Sequence, residues 1–330
     1  MSSESSPKVL IFGSGSVGSV YALVLARANC HVTTVCRSNY EAVKSQGIKI
    51  ESTLFGSQEF NPHAVTSEVP HDRYDYVVVT SKSFPLSNQA ELIAPAVTSG
   101  HTAIALLQNG IEIEAPYQEK YPDNPILSCV VYLPVTQISP GIFKHKEVER
   151  LVIGAYPHTA PPHHKSKAQQ FGDLIQAGGA TADVQDDVQG ERWLKLLANG
   201  AWNPICALTR SRDAEFLTQN SDKIHNPALD IIERVQKEIS LIAIASGYPE
   251  IDASKVEYQV SRAKARITGE ENQGIEPSMM ADVLNGRQME VDAIVGNAVR
   301  IADRVGLGEK VPMLRLLWIL ADALNNSVRR

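Results

Sequence analysis

The chain has 330 residues, enough for two domains that each bury a core of their own. Its 43% hydrophobic and 21% charged residues are the make-up of a folded globular protein. A formal net charge of -6, with no stripe of Lys and Arg, gives no electrostatic ground for a nucleic-acid partner.

After a polar start that reads as no targeting peptide, an apolar strand, Val9–Phe12, runs into glycines at 13, 15 and 18. A small-residue helix from about Val17 to Ala28 follows, then a second strand, His31–Cys36. In a dinucleotide site each glycine has a physical task. Gly13 permits the tight turn, Gly15 lets backbone amides approach a pyrophosphate, and Gly18 lets the helix pack on the sheet. The helix N-terminus then attracts the anion. Gly13, Ser14, Gly15, Ser16, Val17 and Gly18 are therefore the expected cofactor-binding loop. A purely structural turn is the competing reading, which the strand–turn–helix–strand context disfavours.

NAD-selective domains usually end their second strand with an acid that accepts from the ribose 2′-hydroxyl. Here that tip reads Cys36-Arg37-Ser38-Asn39, with no carboxylate before Glu41. A guanidinium pairs well with a 2′-phosphate, so Arg37 points to NADP. A solvated surface arginine is the alternative.

Further β-rich runs follow at Gly47–Glu51, Tyr76–Ser81, Thr102–Leu107 and Ile126–Val131, with a β-like region at Gly141–Gly154. Tyr76-Val-Val-Val-Thr is apolar without alternation, as in a parallel strand buried on both faces. Alternation with helical stretches predicts an α/β fold with a doubly wound, Rossmann-type sheet. Asn109 stands past the Thr102–Leu107 strand, at the sheet edge where ligands bind, although Asn-Gly is also a good turn. Tyr156–Lys167, rich in Pro and His, reads as a loop, and its His163–His164 pair lacks the partners of a metal site. The four scattered cysteines read as buried, reduced thiols.

From about Asp187 the pattern turns helical: Glu191–Ala207, Asp222–Ser246, Ser254–Thr268, Met279–Leu284, Gln288–Val305 and Met313–Leu324. This divides the chain into residues 1–186 and an all-helical 187–330. Val311–Leu324, interrupted by Arg315 and Asp322, is too short and charged to span a membrane, and the protein reads as cytoplasmic.

On the first of these helices Lys195, Asn199 and Asn203 recur every four residues, a polar stripe on an otherwise apolar helix. Pro204 should kink or end that helix. Such groups are costly to bury unless they are paired or face a cleft. Snorkelling of Lys195 to solvent is the bland alternative. Ser278 and Glu290 stand later, Glu290 among apolar neighbours, while Ser278 reads equally well as a helix N-cap. Histidine is absent after His225, which speaks against a His-dependent 2-hydroxy-acid dehydrogenase and leaves a lysine as the remaining candidate proton donor in this half.

In order along the chain, these segments resemble the ketopantoate reductases (2-dehydropantoate 2-reductases) nearly end to end. The matching pieces begin with Phe12-Gly-Ser-Gly-Ser-Val-Gly, Val-Val-Thr-Ser-Lys82 and Leu-Leu-Gln-Asn109-Gly. They continue with Pro140-Gly-Ile-Phe-Lys-His and Trp-Leu-Lys195-Leu-Leu-Ala-Asn199-Gly-Ala-Trp-Asn203-Pro. Pro-Ser278-Met-Met-Ala-Asp-Val-Leu and Gly286-Arg-Gln-Met-Glu290-Val-Asp complete them.

The resemblance implies an NADP-binding Rossmann domain and a catalytic domain like that of 6-phosphogluconate dehydrogenase. The implied reaction is NADPH-dependent reduction of a 2-oxo acid, foremost ketopantoate to pantoate. It makes Lys195 the general acid and sets Glu290 on the carbonyl or hydroxyl side of the substrate. Asn109, Asn199, Asn203 and Ser278 would hold substrate, with Lys82 and Asn109 beside the cofactor. No metal, nucleic acid or membrane enters, and a homodimer is compatible. Competing readings are another carbonyl substrate of a specialised pathway, and a non-catalytic NADP(H) sensor. The chain departs from the family pattern at Asp213-Ala-Glu-Phe and at Ile294-Val-Gly. An Asp213 that replaced a substrate-binding amide would repel an anionic 2-oxo acid.

Overall fold

The computed structural model describes residues 6–85, 87–219, 226–268 and 274–328. The first five residues and the expected helix start at 222–225 lie outside the described residues. The chain forms two compact units, one of residues 1–109 and 113–188, the other of 110–112 and 189–330.

The first unit contains β1 (Lys8–Phe12), β2 (His31–Val35), β3 (Ile48–Ser52), β4 (Gly56–Phe60), β5 (Ala64–Thr66) and β6 (Tyr76–Val79). It continues with β7 (Ala103–Leu106), β8 (Ile126–Tyr132), β9 (Val135–Ser139), β10 (Ile142–His145), β11 (Arg150–Tyr156) and β12 (Ala182–Val184). Its helices are α1 (Ser16–Arg27), α2 (Tyr40–Gln46), α3 (Gln89–Leu92), α4 (Ala115–Lys120) and α5 (Pro162–Ala177). The large sheet runs β12-β11-β8-β7-β6-β1-β2-β5. Every pairing in it is parallel except that of β8 with β11.

Val77, Val78 and Val79 of β6 are wholly buried, as a strand covered on both faces requires. Tyr21 and Leu25 of α1, with Phe171 and Ile175 of α5, pack against Val9 and Ile11 of β1. Strand order moves from β1 outward to β2, then crosses back to β6 on the other side of β1. Loops leaving the carboxyl ends of β1 and β6 therefore diverge, and open α/β sheets bind their ligands at such a reversal.

Two sequence expectations need correcting here. The run Gly47–Glu51 does not join the large sheet: β3 lies in a smaller one, ordered β4-β3-β10-β9. Its residues alternate, Ile48 and Ile50 buried and Glu51 exposed, so it has only one dry face to offer. That face packs with Phe143 of β10 on Val20, Leu23 and Val43 of α1 and α2. The expected loop Tyr156–Lys167 is helical from Pro162, because the fixed φ of proline suits a first helical turn.

The second unit is built from α6 (Gln189–Thr209), α7 (Asp213–Gln219), α8 (Pro227–Ala245), α9 (Ala253–Thr268) and α10 (Ser278–Leu284). A π-helical turn (Asp292–Gly296), α11 (Asn297–Arg304) and α12 (Pro312–Val328) complete it. α6 is the central member, packed against α8, α10 and α12. It does not end at Pro204 but continues to Thr209. Trp202, Ile205, Cys206 and Ala207 are all buried around that proline. Their packing outweighs its cost of about 3 kcal/mol. No helix among the described residues is long and apolar enough to cross a membrane.

Candidate active site

The glycines of the first loop are required for different reasons. Gly13 has φ +108°, and a Cβ on it would stand 2.6 Å from the backbone nitrogen of Ser81. A side chain on Gly18 would collide with the Gly13 carbonyl and Thr80 Oγ1. The protein itself explains both. Gly15 differs: its φ is -84°, open to any residue, and nothing lies within 4 Å of where its Cβ would be. Neither backbone nor packing demands glycine there, and the open space suits the close approach of a ligand from outside.

Two further observations fit a phosphate-bearing ligand. The hydroxyls of Ser14 and Ser81 are buried and have no partner among the described residues. Ser16 and Val17 open α1, whose first turn contains no acid to oppose an anion. Arg37 and Ser38 are exposed just past the end of β2, whose Val35 carbonyl accepts from the amides of Gly13 and Ser14 at 3.3 Å. The residues present thus fit a dinucleotide.

Lys82 and Asn109 are half-buried beyond the carboxyl ends of β6 and β7. Gln108 Nε2 donates to the Ser81 carbonyl at 2.5 Å and to Gln89 Oε1 at 2.7 Å, and Gln89 donates to the Lys82 carbonyl. Sequence reading missed Asn39. Its Nδ2 donates to the Ser14 carbonyl at 2.9 Å, and its Oδ1 accepts from Gln137 at 2.9 Å, so it ties the glycine loop to the smaller sheet.

In the second unit α6 carries Lys195 and Asn199, both half-buried, and Asn203, which is buried. Burial pushes the Lys195 amine down to about 8; Arg192 presses it the same way, and Glu290 opposes them. Lys195 and Glu290, distant in sequence, are thus close enough for their charges to act on one another. Glu290 is buried, but it precedes the helix rather than lying inside the expected Gln288–Val305 segment. Asn325 of α12 is the cause: Met289 N donates to Asn325 Oδ1 at 2.8 Å, and Asn325 Nδ2 donates to the Met289 carbonyl at 3.3 Å. The second bond engages the Met289 carbonyl that a helix begun at 288 would offer to its own next turn, and the first satisfies an amide that such a helix would leave without a partner.

Ser278 is exposed at the first residue of α10, which packs on α6. Pro277 occupies the cap position, so Ser278 is not the N-cap. Sequence reading also missed Arg192 and Asn325. Arg192 had a signal, one helical turn before Lys195 on the same stripe; Asn325 had none. His163 and His164 form an edge-to-face pair with centroids 4.4 Å apart. Among the described residues no group of three or more His, Cys, Asp or Glu could hold a metal. The four cysteines are buried and unpaired with one another.

Residues 9–158 match the family model for ketopantoate reductase PanE/ApbA, and residues 187–325 match that for its C-terminal part. The 2-dehydropantoate 2-reductase of Pyrococcus horikoshii is 27% identical over 317 residues, 96% of this chain and 97% of its own. The crystal structure of 2-dehydropantoate 2-reductase from Methylococcus capsulatus aligns with a TM-score of 0.82 at 27% identity, covering 98% of each chain. D-mandelate dehydrogenase, solved with NADH and anilino(oxo)acetate, shares the fold with a TM-score of 0.83 at 20% identity, covering 98% of this chain and 100% of its own.

Both departures from the family pattern have structural explanations. Val295 is wholly buried in the core of the helical unit, where it serves packing. Asp213, 2% exposed, accepts from the Arg266 guanidinium, from Ile275 N at 2.6 Å and from Ala214 N at 2.7 Å. Its charge is spent on fastening α7, the end of α9 and the segment that leads to Ser278. Removing one member of a buried pair leaves the other uncompensated. Asp213→Ala should therefore lose about 3 kcal/mol in urea denaturation. A loss under about 1 kcal/mol, the range of surface pairs, would contradict this assignment.

Proposed function

Because the chain belongs to the ketopantoate reductase family, we propose that it reduces a 2-oxo acid to the 2-hydroxy acid with NADPH, 2-dehydropantoate being the fitting substrate. The observation that carries this reading is the Lys195 amine, brought to about 8 with Glu290 acting on it. A general acid works best when its pKa lies near the working pH, and an ordinary lysine lies far above it.

Bound at the glycine loop, NADPH supplies the hydride that reaches C2. The protein's residues do the rest. Lys195, as the ammonium, gives its proton to the keto oxygen as that oxygen gains charge. Glu290 orients the ammonium and accepts from the new hydroxyl. Asn109, Asn199, Asn203 and Ser278 offer neutral donors to the substrate carboxylate and so add no charge of their own beside Lys195. Lys82 serves the cofactor side, and Arg37 receives the 2′-phosphate. NADPH oxidation followed against a panel of 2-oxo acids tests the whole reading. Turnover of none of them would leave a nucleotide-binding protein without this chemistry.

Cofactor choice follows from the strand tip. Arg37→Asp should raise the KM for NADPH about tenfold to a hundredfold, the worth of a charged hydrogen bond, while NADH use is spared. Equal use of both cofactors by the unaltered protein would refute the role given to Arg37.

For the proton donor, the reaction needs the ammonium form. kcat should hold steady at neutral pH and fall as pH rises through about 8, the value at which Lys195 loses its proton. Lys195→Ala should lower kcat about a hundredfold or more with NADPH binding intact. Turnover like the wild type in that variant would end the assignment.

Glu290 is predicted to act with Lys195 as one unit. Glu290→Ala should lower kcat/KM about a hundredfold. The double variant with Lys195→Ala should then be little worse than Lys195→Ala alone, because groups in one unit give non-additive losses. Fully additive losses would make Glu290 a structural carboxylate.

A further inference from the structure

Residues 110–112 follow Asn109 directly yet belong to the helical unit. Their attachment is specific. Gly110, with φ +108°, has no room for a side chain against the Ala293 carbonyl of the π-helical turn. Ile111 N donates to that same carbonyl at 3.0 Å, and Asn297 Nδ2 donates to the Ile111 carbonyl at 2.7 Å. Glu112 pairs with Arg304 of α11. Arg192 Nη1 donates to the Gly110 carbonyl at 3.0 Å, and Arg192 is only 4% exposed. Three residues before Lys195, it shares the polar face of α6.

We propose that Arg192 is a positioning residue for the reduction: it fastens the Gly110–Glu112 segment to the helix that carries the proton donor, and it supplies the fixed positive charge which that donor feels. This rests on the reading of Lys195 as general acid. A guanidinium stays charged at every pH a protein survives, so of two neighbouring cations Lys195 is the one that yields its proton. Other buried acids on helices around α6 are engaged elsewhere. Glu238 of α8 accepts from the Met313 and Leu314 amides, Asp282 of α10 from Arg287, and Asp213 of α7 from Arg266. Arg192 and Glu290 are the charges that shift the Lys195 amine. The same side chain therefore bears both on the place of the backbone beyond Asn109 and on the acidity of the donor.

The test reads Lys195 directly, without turnover. Acetylation of Lys195 by acetic anhydride, followed across pH by peptide mass spectrometry, gives the midpoint at which its amine becomes reactive. Loss of a neighbouring cation favours the ammonium, so Arg192→Gln should move that midpoint up by about one unit. Where Gln leaves the protein unfolded, Arg192→Met keeps the packed stem and should give the same rise. In an active enzyme the alkaline limb of kcat should move with the midpoint. A midpoint unchanged in both Gln and Met variants overturns the proposal. If the midpoint moves as expected but no 2-oxo acid is turned over by the wild type, the positioning of Lys195 stands and the reductase reading falls.

Discussion

A lysine amine withdrawn from water is held at a cost, and the helical unit is arranged around that cost. Moving the Lys195 amine from 10.5 to about 8 corresponds to about 3 kcal/mol between its charged and neutral forms. The folded state bears this in full below about pH 8 and is relieved of it as pH rises toward the unfolded value. What offsets it is the core around α6: Leu196, Leu197, Ala201 and Ile205 are all buried there, each burial worth up to about 2 kcal/mol. The polar stripe exists because the other faces of the same helix are so thoroughly apolar.

The first unit meets a different demand. Its loop must turn sharply out of a buried strand, with the Gly13, Ser14 and Gly15 amides taken up by the Val35 and Gly13 carbonyls, and still leave open space before the first turn of α1. Gly13 and Gly18 meet the internal part, since their side-chain positions are filled by protein. Gly15 meets the external part, since its position is filled by nothing. Asn39 and Gln137 then hold the loop from the smaller sheet, which gives that sheet a reason to sit beside the nucleotide end of the unit.

Much of this architecture is legible in the sequence, because it rests on periodicity and glycine spacing. The unbroken Val77–Val79 run announces a doubly covered strand, and the four-residue recurrence of Lys195, Asn199 and Asn203 announces one face of α6. What escapes is whatever depends on partners distant in sequence. β3 was readable as a strand, but only its alternation hinted that it would leave the main sheet. Pro204 carries a strong local signal to stop, overruled by tertiary packing that no local window contains. Asn325 acts on Met289 from another helix, and an asparagine near a helix end looks ordinary. Asp213 looked like a hazard to an anionic substrate because the sequence does not show Arg266 and the Ile275 amide waiting for it.

The opposing influences on Lys195 show why the proton donor proposed for this unit needs more than one neighbour. Glu290 alone, close to an exposed lysine, would hold the proton more tightly than water does and make a poor acid. Burial and Arg192 both favour the neutral amine, burial the more strongly, and Glu290 works against them. Burial and Arg192 acting downward, against Glu290 acting upward, bring the amine to about 8, still mostly protonated at neutral pH yet ready to part with its proton. Each influence comes from a different place: the apolar faces of α6, a residue one turn back, and an extended segment pinned by Asn325. A change at any of the three shifts the acid without touching it, so the acidity of Lys195 belongs to the fold of the helical unit rather than to the lysine.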